Sequence, residues 1–364
     1  MVFKTMRLGD VLELRRGFDL PKSKREKGCV PVYSSSGISG YHSVSAVDGP
    51  CLVTGRYGTI GQVFYSEKPC WPLNTSLYAT EFKGNNSRFL YYFLKTLPWE
   101  SYATASAVPG INRNHVNAIP VCLPDLECQV GIASLLGALD DKIALNNQLN
   151  GYLEELADGM FRRHFGGLTD NATLADFANV TMGQSPAGSS YNEAGIGTIF
   201  YQGRAEFGWR YPTQRLSTTE PKRMAKAGDV LMSVRAPVGD LNLAYEDCCI
   251  GRGLAAIHCD YPSYGLYLMR SLHKKLDAYN GEGTVFGSIN GKALNGLPIA
   301  LPNNAAIRAF EKEAAPIDTQ IRNNEVESRV LVTLRDTLLP KLMSGEIDVS
   351  KVDLTQLNSH LDDC

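Results

Sequence analysis

Two long segments of the chain repeat their apolar positions in alternating steps of four and three. The first stripe runs Ile132, Leu136, Leu139, Ile143, Asn146, Asn150, Leu153, Ala157 and Met160. The second runs Ile307, Phe310, Ala314, Ile317, Ile321, Asn324, Ser328, Leu331, Arg335, Leu338 and Leu342. A 3.5-residue period on two long segments predicts helices that pack on each other as a coiled coil. At about 1.5 Å per residue, helices of roughly 40 residues are roughly 60 Å long. Both stripes are interrupted by an Asn pair, in "DKIALNN" (Asp141–Asn147) and "DTQIRNN" (Asp318–Asn324).

The segments preceding these helices read differently. They are rich in Gly, Pro, Ser and Tyr and carry short β-type runs such as "CLVTG", "GQVFYS", "DVLMSV" and "LNLAYE". Brief helical stretches, "SRFLYYFLKTL" and "SYGLYLMRSLHKKL", interrupt them, so each segment predicts a mixed α/β (α+β) globule. The predicted order is a globule over 1–126, a helix over 127–166, a second globule over 167–302, a second helix over 303–345 and a tail over 346–364.

The two halves repeat each other. "RLGDVLELRRG" (Arg7–Gly17) matches "TLADFANVTMG" (Thr173–Gly183) through Leu8/Leu174, Asp10/Asp176 and Gly17/Gly183. "GPCLVTGRYGTIG" matches "GDVLMSVRAPVG", pairing Arg56 with Arg235. "GINRNHVNAIPVCLP" (Gly110–Pro124) matches "SINGKALNGLPIALP" (Ser288–Pro302). Landmarks in the same order with drifting offsets indicate a duplicated unit with loop insertions.

Charge sharpens this picture. The chain carries a formal net charge of −2, but residues 1–124 hold 14 Lys/Arg against 8 Asp/Glu, while both helical segments are acidic. A basic globule borne on acidic helices fits a phosphate-rich partner. The nine Cys residues lack CxxC spacing, which predicts reduced, mostly buried thiols. With no apolar leader and no window long enough to span a bilayer, the expected location is the cytoplasm, with no membrane contact. Dinucleotide, phosphate-loop and metal-protease motifs are missing, so no catalytic residue, metal or cofactor is expected of this chain.

The candidate chemistry lies instead in polar, basic and aromatic loops at matching places in both globules. In the first they supply Lys22, Lys24, Arg25 and Lys27, then Ser35 and Ser36, then Arg56 and Tyr57, then Arg113, Asn114 and His115. In the second they supply Gln184, Ser185 and Tyr191, then Arg204, Arg235, Asn290 and Lys292. Such side chains contact phosphates, and Arg and Asn also read base edges. Arg56 and Arg235 stand out because each follows a β-type run inside a Gly/Pro-rich loop.

Over essentially its whole length the chain resembles the specificity subunit of type I restriction–modification enzymes. "LRDTLLPKLMSGEIDV" (Leu334–Val349) carries the resemblance most specifically, with "IASLLGALDDKIALNNQLNGYLEELADGMFRRHF", "GDVLMSVRAPVG" and "SIN…LPIALP" beside it. The resemblance implies two target-recognition domains held apart by an antiparallel coiled coil with pseudo-twofold symmetry. Each domain would read one half of a bipartite site in double-stranded DNA, across an unread spacer. The helices would dock two methyltransferase subunits that use S-adenosylmethionine, and through them a restriction motor–nuclease subunit. The first recognition domain begins almost at Met1, so any amino-terminal shared segment is expected to be minimal. A specificity subunit of a multisubunit type II enzyme and a non-DNA coiled-coil scaffold are the alternatives. In an antiparallel pair Asn146 and Asn324 fall near one layer, where buried Asn holds register and orientation. Facing solvent or the methyltransferase is the other expectation for them.

Overall fold

The computed structural model describes residues 2–102, 110–281 and 287–352. The chain divides into two compact units, residues 1–145 with 327–364, and residues 146–326. Both boundaries fall inside the long helices Leu126–Phe165 and Asn304–Ser344, so each unit contains half of each helix.

In the first unit, strand Phe3–Arg7 pairs antiparallel with Pro120–Pro124, the strand that leads into the first long helix. A four-stranded sheet follows the order Glu13–Arg16, Ser76–Glu81, Cys51–Gly55, Val63–Ser66, and a three-stranded sheet joins Gly37–His42, Val30–Ser34 and Trp71–Pro72. Helix Ser87–Lys95 starts at Asn86, whose side chain accepts from the Phe89 amide, the usual way of satisfying an orphan helix donor. Its Phe89, Leu90, Tyr92 and Leu94 join Leu8, Leu14, Leu52, Leu77, Ile132, Leu136 and Leu342 in one core.

The second unit repeats this plan. Ala172–Thr173 pairs with Pro298–Ile299, and the four-stranded sheet runs Asn179–Met182, Leu254–His258, Val230–Ser233, Leu241–Leu243. The second sheet grows from three strands to five. Much of the growth in sequence offset is explained by the loop between Tyr201 and Leu216, where the first unit has the tight turn at Ser35 and Ser36. That loop sends Arg210 and Tyr211 into the interior, where both are buried.

The shared sequence landmarks have structural causes. Asp10 and Asp176 accept the backbone amides of Arg7 and Thr173, closing the turn after the first strand. Gly17 and Gly183 lie where the chain runs against its neighbour: a Cβ would fall 2.3 Å from the Leu73 carbonyl oxygen in one and 2.1 Å from that of Gly251 in the other.

The helices run antiparallel within each unit. In the first, Lys142 reaches Glu327 at 3.3 Å and Asp140 reaches Arg335 at 2.7 Å. In the second, Asn150 approaches Glu325 and His164 approaches Glu313. Every position of the two predicted stripes is buried or half-buried. The second helix continues through Pro316 and Pro340, which remove two intrahelical donors. Packing of the stripe carries it past both.

Each globule is tied to the helices by a tyrosine. Tyr92 donates to Asp140 at 2.6 Å, and Arg335 donates to the same carboxylate. Tyr267 donates to Asp318 at 2.9 Å. Burial, followed by the neighbouring carboxylate, pushes both phenols well above their ordinary pKa. Arg210, 3% exposed, lies between Asp318 and Glu154 at 3.5 and 3.7 Å.

Asn146 and Asn150 are each 1% exposed and Asn324 5%. Asn324 donates to the Asn150 side chain at 2.8 Å and accepts from Gln320, and the Asn146 amide reaches the Asn324 carbonyl at 3.4 Å. Asn147 and Asn323, the other halves of the two pairs, are exposed. The structural offset is therefore 178 residues, one more than matching the motifs letter by letter. Asn324→Ala is expected to lower the unfolding free energy by about 1–3 kcal/mol, because it strands buried polar partners. Asn323→Ala should stay within about 0.5 kcal/mol. Urea denaturation of both variants checks this, and equal losses would show that burial of the amide carries no weight.

Candidate nucleic-acid interface

Each unit bears a polar cavity where the strand ladder meets a short helix. In the first, the backbone beyond strand Cys51–Gly55 bridges to Gly110 through Tyr57, and the Ile111 amide donates to the Arg56 carbonyl at 2.9 Å. Asn112 caps helix Arg113–Asn117 by accepting the Asn114 amide. These pieces enclose about 450 Å³ lined by Arg16, Arg56, Tyr57, Asn112, Arg113 and Asn114 among others. The Arg56 guanidinium lies over the Tyr57 ring, 4.6 Å from its centroid.

The second unit builds the same corner. Arg235 bridges to Ser288, the Ile289 amide donates to the Val234 carbonyl at 3.1 Å, and Asn290 caps helix Gly291–Asn295 through the Ala293 amide. The cavity is about 640 Å³ and includes Met182, Arg235, Arg252, Ser288 and Asn290 in its lining.

This ladder changes one pairing expected from sequence. The bridges and hydrogen bonds superpose Tyr57 on Arg235 and Arg56 on Val234, so the two arginines differ by one place. Side chains alternate along a strand, and a one-residue shift exchanges the faces they point to. Val234 is accordingly buried in the core, whereas Arg235 is exposed.

Of the residues singled out by sequence, Arg56, Tyr57, Arg113 and Asn114 meet in the first cavity, and Arg235 and Asn290 in the second. His115 and Lys292 are exposed on the adjoining short helices. The others lie outside both linings. Lys22 and Lys24 sit exposed on a 3-10 turn, Lys27 is exposed just beyond it, and Arg25 donates to the Ser39 carbonyl at 2.8 Å. Ser36 hydrogen-bonds to Ser34, beside Ser35 in the same turn. Gln184 follows the Gly183 close approach, Ser185 accepts the Arg252 amide, and Tyr191 donates to the Pro186 carbonyl. Arg204 is paired with Asp240.

Sequence reasoning passed over Arg16 and Arg252. Their signals were slight: Arg16 immediately precedes the repeat landmark Gly17, and Arg252 stands between two glycines.

Among the described residues no carboxylate lies within 4 Å of the guanidinium of Arg56, Arg113, Arg235 or Arg252. Arg16, in the first lining, pairs with Asp19 at 3.4 Å. Outside the corners Arg15, Arg88, Arg204, Arg215, Arg270 and Arg335 have a carboxylate partner, whereas among the described residues Arg25, Arg223 and Arg322 do not. Cations left without a counter-charge at a cavity mouth suit an anionic ligand that supplies it.

Among the described residues no group of His, Cys, Asp and Glu gathers to hold a metal, and no helix is long and apolar enough to cross a membrane. The described cysteines are free, five of them buried.

A duplicated α/β unit, each copy packed on an antiparallel stretch of the two long helices and bearing an equivalent basic corner, defines an internally repeated coiled-coil module. The model of the type I restriction modification DNA specificity domain matches residues 2–155. The putative type I restriction enzyme MjaX specificity subunit of Methanocaldococcus jannaschii is 31% identical over 290 residues, covering 72% of this chain and 68% of that one. The HindI specificity subunit of Haemophilus influenzae is 21% identical over 331 residues, covering 66% and 71%. The crystal structure of the type I system S subunit from M. genitalium matches with a TM-score of 0.66 over 94% of this chain and 96% of that one. At 16% identity it speaks for the fold alone. The chain belongs to the family of type I restriction–modification specificity subunits, which are non-catalytic and function with DNA, methyltransferase subunits and restriction subunits.

Proposed function

We infer that the chain selects a bipartite DNA target. Residues 1–126 and 167–302 act as target-recognition domains, each contacting one half-site through its basic corner. The helices of 127–166 and 303–345 join them, and the DNA between the half-sites goes unread. The observation that carries this reading is that the equivalent corner of each copy gathers guanidinium groups, those of Arg56 and Arg113 in one and of Arg235 and Arg252 in the other having no carboxylate within 4 Å among the described residues. Duplex DNA supplies phosphates for such groups and base-edge acceptors for Arg and Asn. The remaining basic and polar loops, from Lys22–Lys27 to Gln184 and Tyr191, serve as flanking contacts. Asn146 and Asn324 hold the register of the helix pair and with it the spacing of the half-sites.

The helices also dock the partner subunits. Tyr152 and Leu156 are exposed on the first long helix, and Val330 and Leu334 on the second. The two pairs are 178 residues apart, the offset of the repeat itself. Large exposed apolar side chains on an otherwise acidic helix suit a buried protein contact, and two equivalent pairs suit two methyltransferase subunits. A restriction subunit joins through them.

Two outcomes test this. In the reconstituted complex, Arg56→Ala is expected to relax methylation at one half-site only and Arg235→Ala at the other, read by methylation of a randomised target library. Identical effects from both would contradict separate half-sites. Tyr152→Asp with Leu156→Asp should reduce the complex from two methyltransferase subunits to one in native mass spectrometry; retention of two would remove the docking role.

A further inference from the structure

The two corners share a frame but not a lining. Strand pairing and hydrogen bonds superpose residues 178 apart from Arg56 and Val234 onward. The frame is common to both: Ile111 and Ile289 are buried, Asn112 and Asn290 cap the short helices, and Gly17 and Gly183 allow the close approach at the strand end. Around it the side chains change. Arg113 is replaced by Gly291, Asn114 by Lys292, and Tyr57 by Arg235. Arg16, at the end of its strand, is matched by Met182, and Asn74 by Arg252. Positive charge thus sits on the strand end, the loop at Arg56 and the short helix of the first corner, and on two loops, at Arg235 and Arg252, and the short helix of the second.

The phosphate backbone of a duplex is the same whatever its sequence. If both corners held only phosphates, one frame would favour one arrangement of cations. A constant frame with relocated cations is what two different arrays of base-edge donors and acceptors require. We propose that Arg113 and Asn114 of the first short helix and Lys292 of the second, together with Tyr57 and Arg235, read bases, whereas Asn112 and Asn290 position the readers without contacting DNA. This rests on the reading that the corners bind DNA.

The test uses the reconstituted complex with its methyltransferase and a library in which both half-sites are randomised. The wild type is measured first, and a complex with no sequence preference would overturn the DNA-recognition reading itself. The first unit is then given the second unit's residues, Arg113→Gly with Asn114→Lys. Discrimination at one or more bases of the first half-site should fall or change by roughly tenfold or more, with the second half-site unaltered. Asn323→Ala, exposed on the second long helix and outside both corners, should leave base preference at both half-sites unchanged. Arg113→Ala, a single exposed change, reads the same effect should the double variant fail to assemble. A uniform loss of affinity for all sequences, with a shallower salt dependence, would make Arg113 a phosphate contact and overturn the proposal. So would a first half-site preference unchanged in both variants, or one altered by Asn323→Ala as much as by the exchange.

Discussion

The seam between the two long helices is the constraint on which the rest of the chain depends. Each globule closes on its own half of the seam, through Tyr92 and Asp140 in one unit and through Tyr267, Arg210 and Asp318 in the other. A stripe of Ile and Leu alone tolerates a slip of one heptad, since apolar side chains meet apolar side chains either way. The buried amides of Asn146, Asn150 and Asn324 do not. Displaced by seven residues they would face apolar partners, and each stranded group costs about 1–3 kcal/mol. On this reading stability is given up at the centre of the seam so that one register prevails.

The same logic of shared support and differing detail runs through the globules. In both copies the first strand pairs with the strand leading into a long helix, so the beginning and end of each globule meet at the helix root. From that root the four-stranded sheet carries the chain to a corner built by one bridge and one Asn cap. Rigid elements thus place side chains whose identities are free to differ. The second sheet, enlarged in the second unit, also sends Arg210 back to the helices, where the buried guanidinium is held by two carboxylates.

Much of this was legible in the sequence because the responsible forces are periodic or local. The heptad stripes follow from burial of one helix face, and the burial pattern retraces them residue by residue. The repeat was visible because Asp10 and Asp176 close turns and Gly17 and Gly183 relieve a backbone clash, roles that few other residues fill. The superposition of Tyr57 on Arg235 was not legible, because hydrogen-bond register is decided by partner strands far away in the chain. Matching arginine to arginine by sequence sets the alignment one residue out. Arg16 and Arg252 escaped notice for a related reason: they reach the corners through tertiary folding, not through any local motif. Nor would propensity alone carry a helix through Pro316. There, long-range packing prevails over the local rule.

We infer that one chain selects two separated tracts of DNA at a fixed spacing. The most direct measurement is to map every adenine methylated on genomic DNA by the purified complex of this chain with its methyltransferase. The predicted result is a single motif of two specified tracts, divided by a gap of constant length and unrestricted sequence. An uninterrupted motif, or a gap whose length varies from site to site, would contradict it.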